Sequence, residues 1–165
     1  MSAPIIYRTG IDPAWIDYND HLRDAYYGLI VSLAVDGLMH RLGLDDAYRE
    51  QTRNTLFTLE LHMHFLREVK GSETLEVSVR ILGLDRKRLH AAFDLRCAGR
   101  PEIVATAETM LLHVHQGATP GATPFPPEIF TQLSAFAESS RAQSMQAAGD
   151  VPPGSRRIEL RSPSA

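Results

Sequence analysis

Hydrophobic positions first mark out one long helical segment. From about Leu22 to Leu42, apolar residues recur at the i, i+3, i+4 spacing of a helix, and Gly43 is a stop signal just beyond it. The residues on this spacing are Tyr26, Leu29, Ile30, Leu33, Ala34, Gly37 and Leu38. Further apolar residues, Tyr27, Val31 and Val35, lie on other faces, so we expect the rest of the protein to enclose this helix.

The segment after the helix shows the alternation of β-strands. Apolar and polar residues alternate over 57–65, 75–81 and 89–97, and a last strand is expected over about 102–115. Turn residues separate these runs, at Gly71-Ser72, at 85–88 and at 99–101. This pattern predicts an antiparallel meander with one buried face. A short strand from Ile5 to Arg8, ending at Gly10, precedes the helix.

The order of elements predicts a fold of the α+β class. A sheet wrapped around the long helix would bury both apolar surfaces in one core, which is the arrangement of the hotdog fold. We predict a hotdog domain over residues 1–118, followed by a proline-rich linker and a docked C-terminal helix within 119–148. The residues that predict this helix are Ile129, Phe130, Leu133, Phe136 and Ala137. Residues 149–165 are expected to form a flexible tail.

Composition narrows the class of protein. A length of 165 residues suits one domain, and a net charge of −3 disfavours nucleic-acid binding. Cys97 is the only cysteine, which suits a reducing compartment. No signal peptide is recognisable at the N-terminus, and no apolar run approaches the roughly 20 residues of a membrane span. We therefore expect a cytoplasmic protein without a nucleic-acid or membrane partner.

The residues just before the helix carry the candidate chemistry. Asp17, Asn19 and His21 alternate in a loop that runs into the helix N-terminus. Free backbone N–H groups there carry roughly half a positive charge, which would stabilise the oxyanion formed from a thioester carbonyl. A nearby carboxylate could activate water or attack directly. The alternative is that these residue types only form turns and helix caps.

This stretch resembles the D-x-N-x-H-x-N-(N/D)-x-x-Y signature of the 4-hydroxybenzoyl-CoA and acyl-ACP thioesterase superfamily. Its matching residues, in order, are Asp17, Asn19, His21, Asp24 and Tyr27. Segments 15–19, 58–60 and 110–114 are similar to the betainyl-CoA thioesterases of carnitine degradation, a group that includes fusions to carnitine dehydrogenase. The resemblance covers about residues 4–127. Family members usually carry Gly where this chain has Asp20, and Asn where it has Arg23.

The resemblance implies an enzyme that hydrolyses a small acyl-CoA, with betainyl-CoA as the expected substrate. It implies no metal and no cofactor, and a homodimer or homotetramer. We expect Asp17 to act as general base or nucleophile, Asn19 to position water or substrate, and His21 to polarise the carbonyl or orient Asp17.

Several residues are predicted to bind the substrate. They are Trp15, Tyr18, Asp24, Tyr26, Tyr27, Glu60 and His62. The aromatic residues would suit a trimethylammonium group, although Tyr26 and Tyr27 are also explained as core residues. Glu60 and His62 would complete a neighbouring protomer's pocket, or form a solvated strand face. A basic turn, Arg86, Lys87 and Arg88, would bind the 3′-phosphate of coenzyme A, or simply be a solvated hairpin turn.

Three other functions remain open at this point. A hotdog dehydratase or hydratase would act on acyl-CoA without breaking the thioester, and a binding protein would show no turnover. A cupin-like metalloenzyme would use histidines and a glutamate from two strands: His62, His64, Glu68, His113 and His115. The glycines that frame the cupin motif are absent at the expected places.

Overall fold

The computed structural model describes residues 3–144. Its elements are β1 (Ile5–Gly10), a 3-10 helix (Pro13–Trp15), α1 (Asp24–Arg41), α2 (Asp46–Thr52), β2 (Asn54–Phe65), β3 (Thr74–Leu84), β4 (Arg88–Cys97), β5 (Ile103–His115), β6 (Gly121–Ala122) and α3 (Pro127–Ser144). Within residues 3–144, no helix is long and apolar enough to cross a membrane. The predicted flexible tail, 149–165, lies outside the described residues.

The strands form one antiparallel sheet in the order β1-β3-β4-β5-β2, with β6 paired to β5. The predicted α+β hotdog architecture is therefore confirmed, and β3, β4 and β5 form the predicted meander. The prediction that β2 would also belong to the meander is wrong, because β2 pairs with β5 at the far edge of the sheet. Residues 66–73, here named the crossover segment, connect β2 to β3 on the other side.

Helix α1 packs its apolar surface into the core. Its buried residues are Tyr27, Ile30, Val31, Ala34, Val35, Leu38 and Met39. This face is rotated from the predicted series, since Leu29 is 40% exposed. The sequence leaves the rotation undecided because the helix is apolar on nearly every side. Gly37 faces β1 so closely that a Cβ would lie within 3.0 Å of the Ile6 carbonyl oxygen.

Strand β2 differs most from its predicted environment. Its apolar side chains Phe57, Leu59, Leu61 and Phe65 are 41–54% exposed, so the predicted buried face is wrong for this strand. The physical reason is the edge position: among residues 3–144, no strand of the same protomer lies beyond β2. A register shift between Thr58 and Glu60 also interrupts the regular alternation of its two faces.

Three short elements were not predicted: the 3-10 helix, and two elements near the C-terminal end of β5. Helix α2 has only seven residues, and Asp45 caps it by accepting a hydrogen bond from the Tyr48 N–H at 3.0 Å. Strand β6 lies inside the proline-rich linker. After it, α3 places Ile129, Leu133 and Ala137 in the common core. The Ser140 hydroxyl accepts a hydrogen bond from the Ile81 N–H of β3 at 3.1 Å.

Candidate active site

Asp17 organises the loop that leads into α1. Its Oδ1 accepts hydrogen bonds from the backbone N–H groups of Asn19 (2.8 Å) and His21 (3.2 Å). The backbone closes the same turn, since the Asp17 N–H donates to the His21 carbonyl at 2.9 Å and the Asp20 N–H donates to the Asp17 carbonyl at 3.1 Å. Asp20 has a φ of 63°. This left-handed conformation favours glycine and tolerates aspartate, which explains how Asp20 replaces the glycine usual in the family.

The crossover segment fixes this loop in space. The Leu22 N–H donates to the Val69 carbonyl at 2.7 Å, and His21 forms an isolated antiparallel bridge with Lys70. The Arg23 N–H donates to the Trp15 carbonyl at 3.0 Å. The first turn of α1 is therefore held between the loop and the chain leaving β2. This brings residues from two distant parts of the sequence to the helix N-terminus.

A cavity of about 580 Å³ opens at this N-terminus. It is lined by Asp17, Tyr18, His21, Leu22, Arg23, Asp24, Tyr27, Phe65, Leu66, Arg67 and Glu68. Five of the predicted site residues are thus brought together: Asp17, Tyr18, His21, Asp24 and Tyr27. Their roles stay predictions. The carboxylate of Asp17 and the positive end of α1 share this space, as the proposed thioester chemistry requires.

The carboxylate of Asp17 is held in its ionised form. Burial by itself would raise the pKa of Asp17, but the backbone N–H groups of Asn19 and His21 outweigh it. The Asn19 side chain adds a further hydrogen bond, and His21 adds a favourable charge interaction. The pKa of Asp17 therefore lies below its ordinary value of 3.8. Asn19 acts here on the carboxylate and does not line the cavity.

The structure adds cavity residues that the sequence did not mark as part of this site. The Nε2 atom of His21 lies 3.0 Å from Oε2 of Glu68, an ion pair when the imidazole is protonated. Arg67 lines the same cavity, together with Phe65 and Leu66. These residues lie 38 to 41 positions after Tyr27, the last residue of the motif. No local pattern connects them to it, because only the crossover between sheet edges brings them near α1.

Four aromatic residues near the motif form two separate pairs. Trp15 stacks on Tyr26, with ring centroids 5.4 Å apart. Tyr27 meets Phe65 edge to face at 5.2 Å, and only this second pair lines the cavity. Burial raises the pKa of Tyr27 to about 12, with smaller contributions from Cys97, Glu73 and Glu68, so its phenol stays protonated. Tyr18 lies at the cavity rim and is 93% exposed.

Other predicted binding residues lie away from this cavity within the protomer. Glu60 and His62 are on the edge strand β2 and do not line it. The basic turn 86–88 is at the opposite end of the sheet. Arg88 pairs with Leu112, which pairs with Phe57. Phe65 of the cavity is eight residues further along β2, about 26 Å away at the usual rise per residue. Asp85 forms an ion pair with Arg88, which supports the hairpin-turn explanation.

Two histidines of the cupin-like alternative, His113 and His115, have other partners. His113 is fully buried. Its Nδ1 lies 2.9 Å from the Thr123 carbonyl and must donate, because a carbonyl can only accept. In the neutral imidazole the other nitrogen, Nε2, is then an acceptor, and it accepts from the Tyr48 hydroxyl at 2.9 Å. His115 contacts Asn54 Oδ1 through its Nδ1 at 2.8 Å. Within residues 3–144, no three His, Cys, Asp or Glu side chains are grouped so as to hold a metal ion.

Comparison with known proteins agrees with this geometry. Residues 11–133 match the family described as the Thioesterase-like superfamily. The chain belongs to this superfamily. A betainyl-CoA thioesterase of Pseudomonas aeruginosa is 46% identical over 136 residues, which are 82% of this chain and 85% of that protein. The prediction of a thioester hydrolase is thereby confirmed, in preference to the hydratase, binding-protein and cupin-like alternatives.

Two solved structures resemble this thioesterase over nearly its whole length. The crystal structure of a thioesterase candidate from Pseudomonas putida KT2440 has a TM-score of 0.75 and 40% identity, covering 98% of this chain and 99% of the other. A protein of Staphylococcus aureus, solved in complex with CoA, has a TM-score of 0.78 and 26% identity, covering 98% of both chains.

Proposed function

We propose that this thioesterase hydrolyses betainyl-CoA to betaine and coenzyme A at the cavity in front of α1. One observation carries the proposal: the cavity joins an ionised carboxylate, a helix N-terminus and the aromatic pair of Tyr27 and Phe65. A quaternary ammonium binds well over aromatic faces. The 46% identity to a betainyl-CoA thioesterase supports the same substrate.

In the proposed reaction, the thioester carbonyl faces the first turn of α1. The Ala25 and Tyr26 N–H groups of this turn are already bonded, to Asp24 Oδ1 and to the Arg23 carbonyl. The Asp24 N–H and the protonated phenol of Tyr27 are the donors proposed for the developing oxyanion. The Asp17 carboxylate aligns the attacking water, or attacks the carbonyl itself before water releases the acid. His21 lies beside Asp17 in the cavity and would help polarise the carbonyl. The C–S bond breaks, the sulfur takes a proton, and no cofactor takes part.

We also propose that the enzyme works as a homodimer or larger homo-oligomer paired through β2. An exposed edge strand with several apolar side chains would be an aggregation hazard in a monomer. A second copy pairing along β2 would cover Phe57, Leu59 and Leu61. It would also bring Glu60 and His62 to the interface, where they would contribute to the neighbour's site as predicted.

With a single cysteine that is buried, the protein suits the cytoplasm.

The direct test measures thiol release from a panel of acyl-CoA substrates that includes betainyl-CoA. Wild type should prefer betainyl-CoA, and Asp17→Asn should lose roughly 100-fold or more in kcat, within the range for loss of a catalytic acid–base group. The amide keeps an oxygen for the turn, so the loop should remain intact. Asp12→Asn is the matched control, because Asp12 caps the neighbouring 3-10 helix and lies outside the cavity.

Each outcome of this assay has a distinct meaning. Full activity in Asp17→Asn would refute the catalytic role of Asp17. Preference for an uncharged acyl group would refute betainyl-CoA as the substrate while leaving the thioesterase intact. A double-bond change in crotonyl-CoA without any thiol release would favour the hydratase chemistry instead.

A further inference from the structure

We propose that Glu68 selects the cationic acyl group by placing its carboxylate beside the quaternary nitrogen. This inference rests on the proposed function, and it assigns a specificity-determining role to a residue outside the motif. A quaternary ammonium has no N–H to donate. It can be distinguished from a neutral group of the same shape only by charge and by aromatic faces. The question is therefore which anionic group of the cavity remains available to the ligand.

Three carboxylates line the cavity, and two of them serve the backbone. Asp17 accepts two backbone N–H groups of its own loop. Asp24 accepts the Ala25 N–H at 2.8 Å in the first turn of α1. Glu68 differs from both. In the part of the chain that the structure describes, its one recorded contact is with a side chain, His21 Nε2 at 3.0 Å. That contact uses Oε2, so the other carboxylate oxygen, Oε1, can face a ligand while His21 stays in place.

The position of Glu68 suits this role. It lies three residues after Phe65 on the crossover segment, and both line the cavity with Tyr27. A trimethylammonium group resting against the Tyr27–Phe65 pair would thus have this carboxylate in the same compartment. Phe65 is 54% exposed, so its outer face is accessible to a ligand. The aromatic pair would cover one side of the trimethylammonium group, and the Glu68 carboxylate could approach from another side.

The cavity also contains positive charges that a cation must overcome. Arg23 and Arg67 line it, and neither has an ion-pair partner recorded within residues 3–144. Without Glu68, the two guanidiniums would be opposed only by Asp17 and Asp24, which already serve the backbone. The formal charge of these five side chains is −1 with Glu68 ionised and 0 without it. Glu68 therefore sets the sign of the local charge.

The test compares Glu68→Gln with wild type on two substrates of the same shape. In 3,3-dimethylbutanoyl-CoA, a neutral carbon replaces the quaternary nitrogen of betainyl-CoA. We expect Glu68→Gln to lower the ratio of kcat/KM for betainyl-CoA to that for the neutral ester by roughly 3- to 10-fold. The effect is modest because the Glu68 side chain is 72% exposed and screened by water. It should weaken as salt is raised.

The control variant is Glu138→Gln, which removes the same charge from an exposed position on α3 that does not line the cavity. It should leave the ratio unchanged. Equal losses on both substrates in Glu68→Gln would overturn the inference, because they would mean that Glu68 only positions His21. An unchanged ratio would also overturn it while leaving the substrate proposal intact. If wild type itself hydrolyses only the neutral ester, the betainyl-CoA proposal fails, and this inference fails with it.

Discussion

Replacing Gly28 with alanine should stabilise the protein, whereas the same replacement at Gly37 should leave it clearly less stable than the Gly28 variant. Both glycines lie in α1. Alanine is favoured over glycine in a helix interior by about 0.8–1.0 kcal/mol, and this gain is common to both sites. At Gly28 an added Cβ would meet no heavy atom within 4 Å. The free energy of unfolding should therefore rise by about 0.5–1 kcal/mol.

At Gly37 the same methyl group meets backbone. An added Cβ would lie within 3.0 Å of the Ile6 carbonyl oxygen, and no side-chain rotation can relieve this contact. Helix α1 would have to move away from β1, and β1 is itself held by pairing with β3. Such overpacking costs about 1–3 kcal/mol. Because the propensity gain cancels, the difference between the two variants measures the steric cost alone.

Urea unfolding followed by circular dichroism measures this difference. The midpoint for Gly28→Ala should lie above that of wild type. The midpoint for Gly37→Ala should lie below that of Gly28→Ala, and at constant m this difference corresponds to about 1–3 kcal/mol in the free energy of unfolding. Equal midpoints for the two variants would refute the close packing of α1 on β1. Gly37 is thirteen residues from Asp24, about 20 Å along the helix. Thiol release by the folded Gly37→Ala protein should therefore change far less than its stability.

Three further predictions follow from particular contacts. Arg23→Ala with Arg67→Ala should raise KM for betainyl-CoA several-fold but should not raise KM for the betainyl N-acetylcysteamine thioester, which has no phosphates; a larger effect of Arg86→Ala on betainyl-CoA would favour the basic turn as the phosphate site instead. Leu61→Glu should shift the solution mass toward the monomer, and an unchanged mass by light scattering would contradict pairing through β2. Burial lowers the pKa of His113, so folding resists its protonation, and stability should be full above about pH 6.5 and fall below it. The fall should be smaller in His113→Gln, and equal pH dependence in urea unfolding would count against this explanation.

The sequence predicts elements better than it predicts their neighbours. The observed α1, Asp24–Arg41, lies within two residues of the predicted helix at each end, because periodicity and Gly43 mark it locally. Strand β2 was also predicted as a strand, but alternation defines two faces and does not say which strand lies alongside. Its place at the far edge depends on where the crossover segment leads. That is a property of the whole sheet.

The same distinction applies to the site. Asp17, His21, Asp24 and Tyr27 were identifiable because they lie within eleven consecutive residues and face one cavity across a single turn into α1. Glu68 and Arg67 belong to the same cavity through tertiary structure alone. Trp15 and Tyr26, two of the aromatic residues predicted to bind the substrate, pack on each other and do not line the cavity. Adjacent residues on a helix, such as Tyr26 and Tyr27, point in different directions, and only one of them faces the cavity.

Turn formation and catalysis are alternative explanations of the Asp17 motif, and under the proposed mechanism the same hydrogen bonds serve both. The hydrogen bonds from Asn19 and His21 that shape the turn also lower the pKa of Asp17. The carboxylate is therefore ionised throughout the neutral range, and its weak basicity favours orienting water over removing its proton completely. If the hydrolytic rate falls as the pH is lowered from 7 to 5, the group being protonated would then be one other than Asp17. In the proposed reaction, the turn thus keeps the carboxylate ionised when the thioester binds.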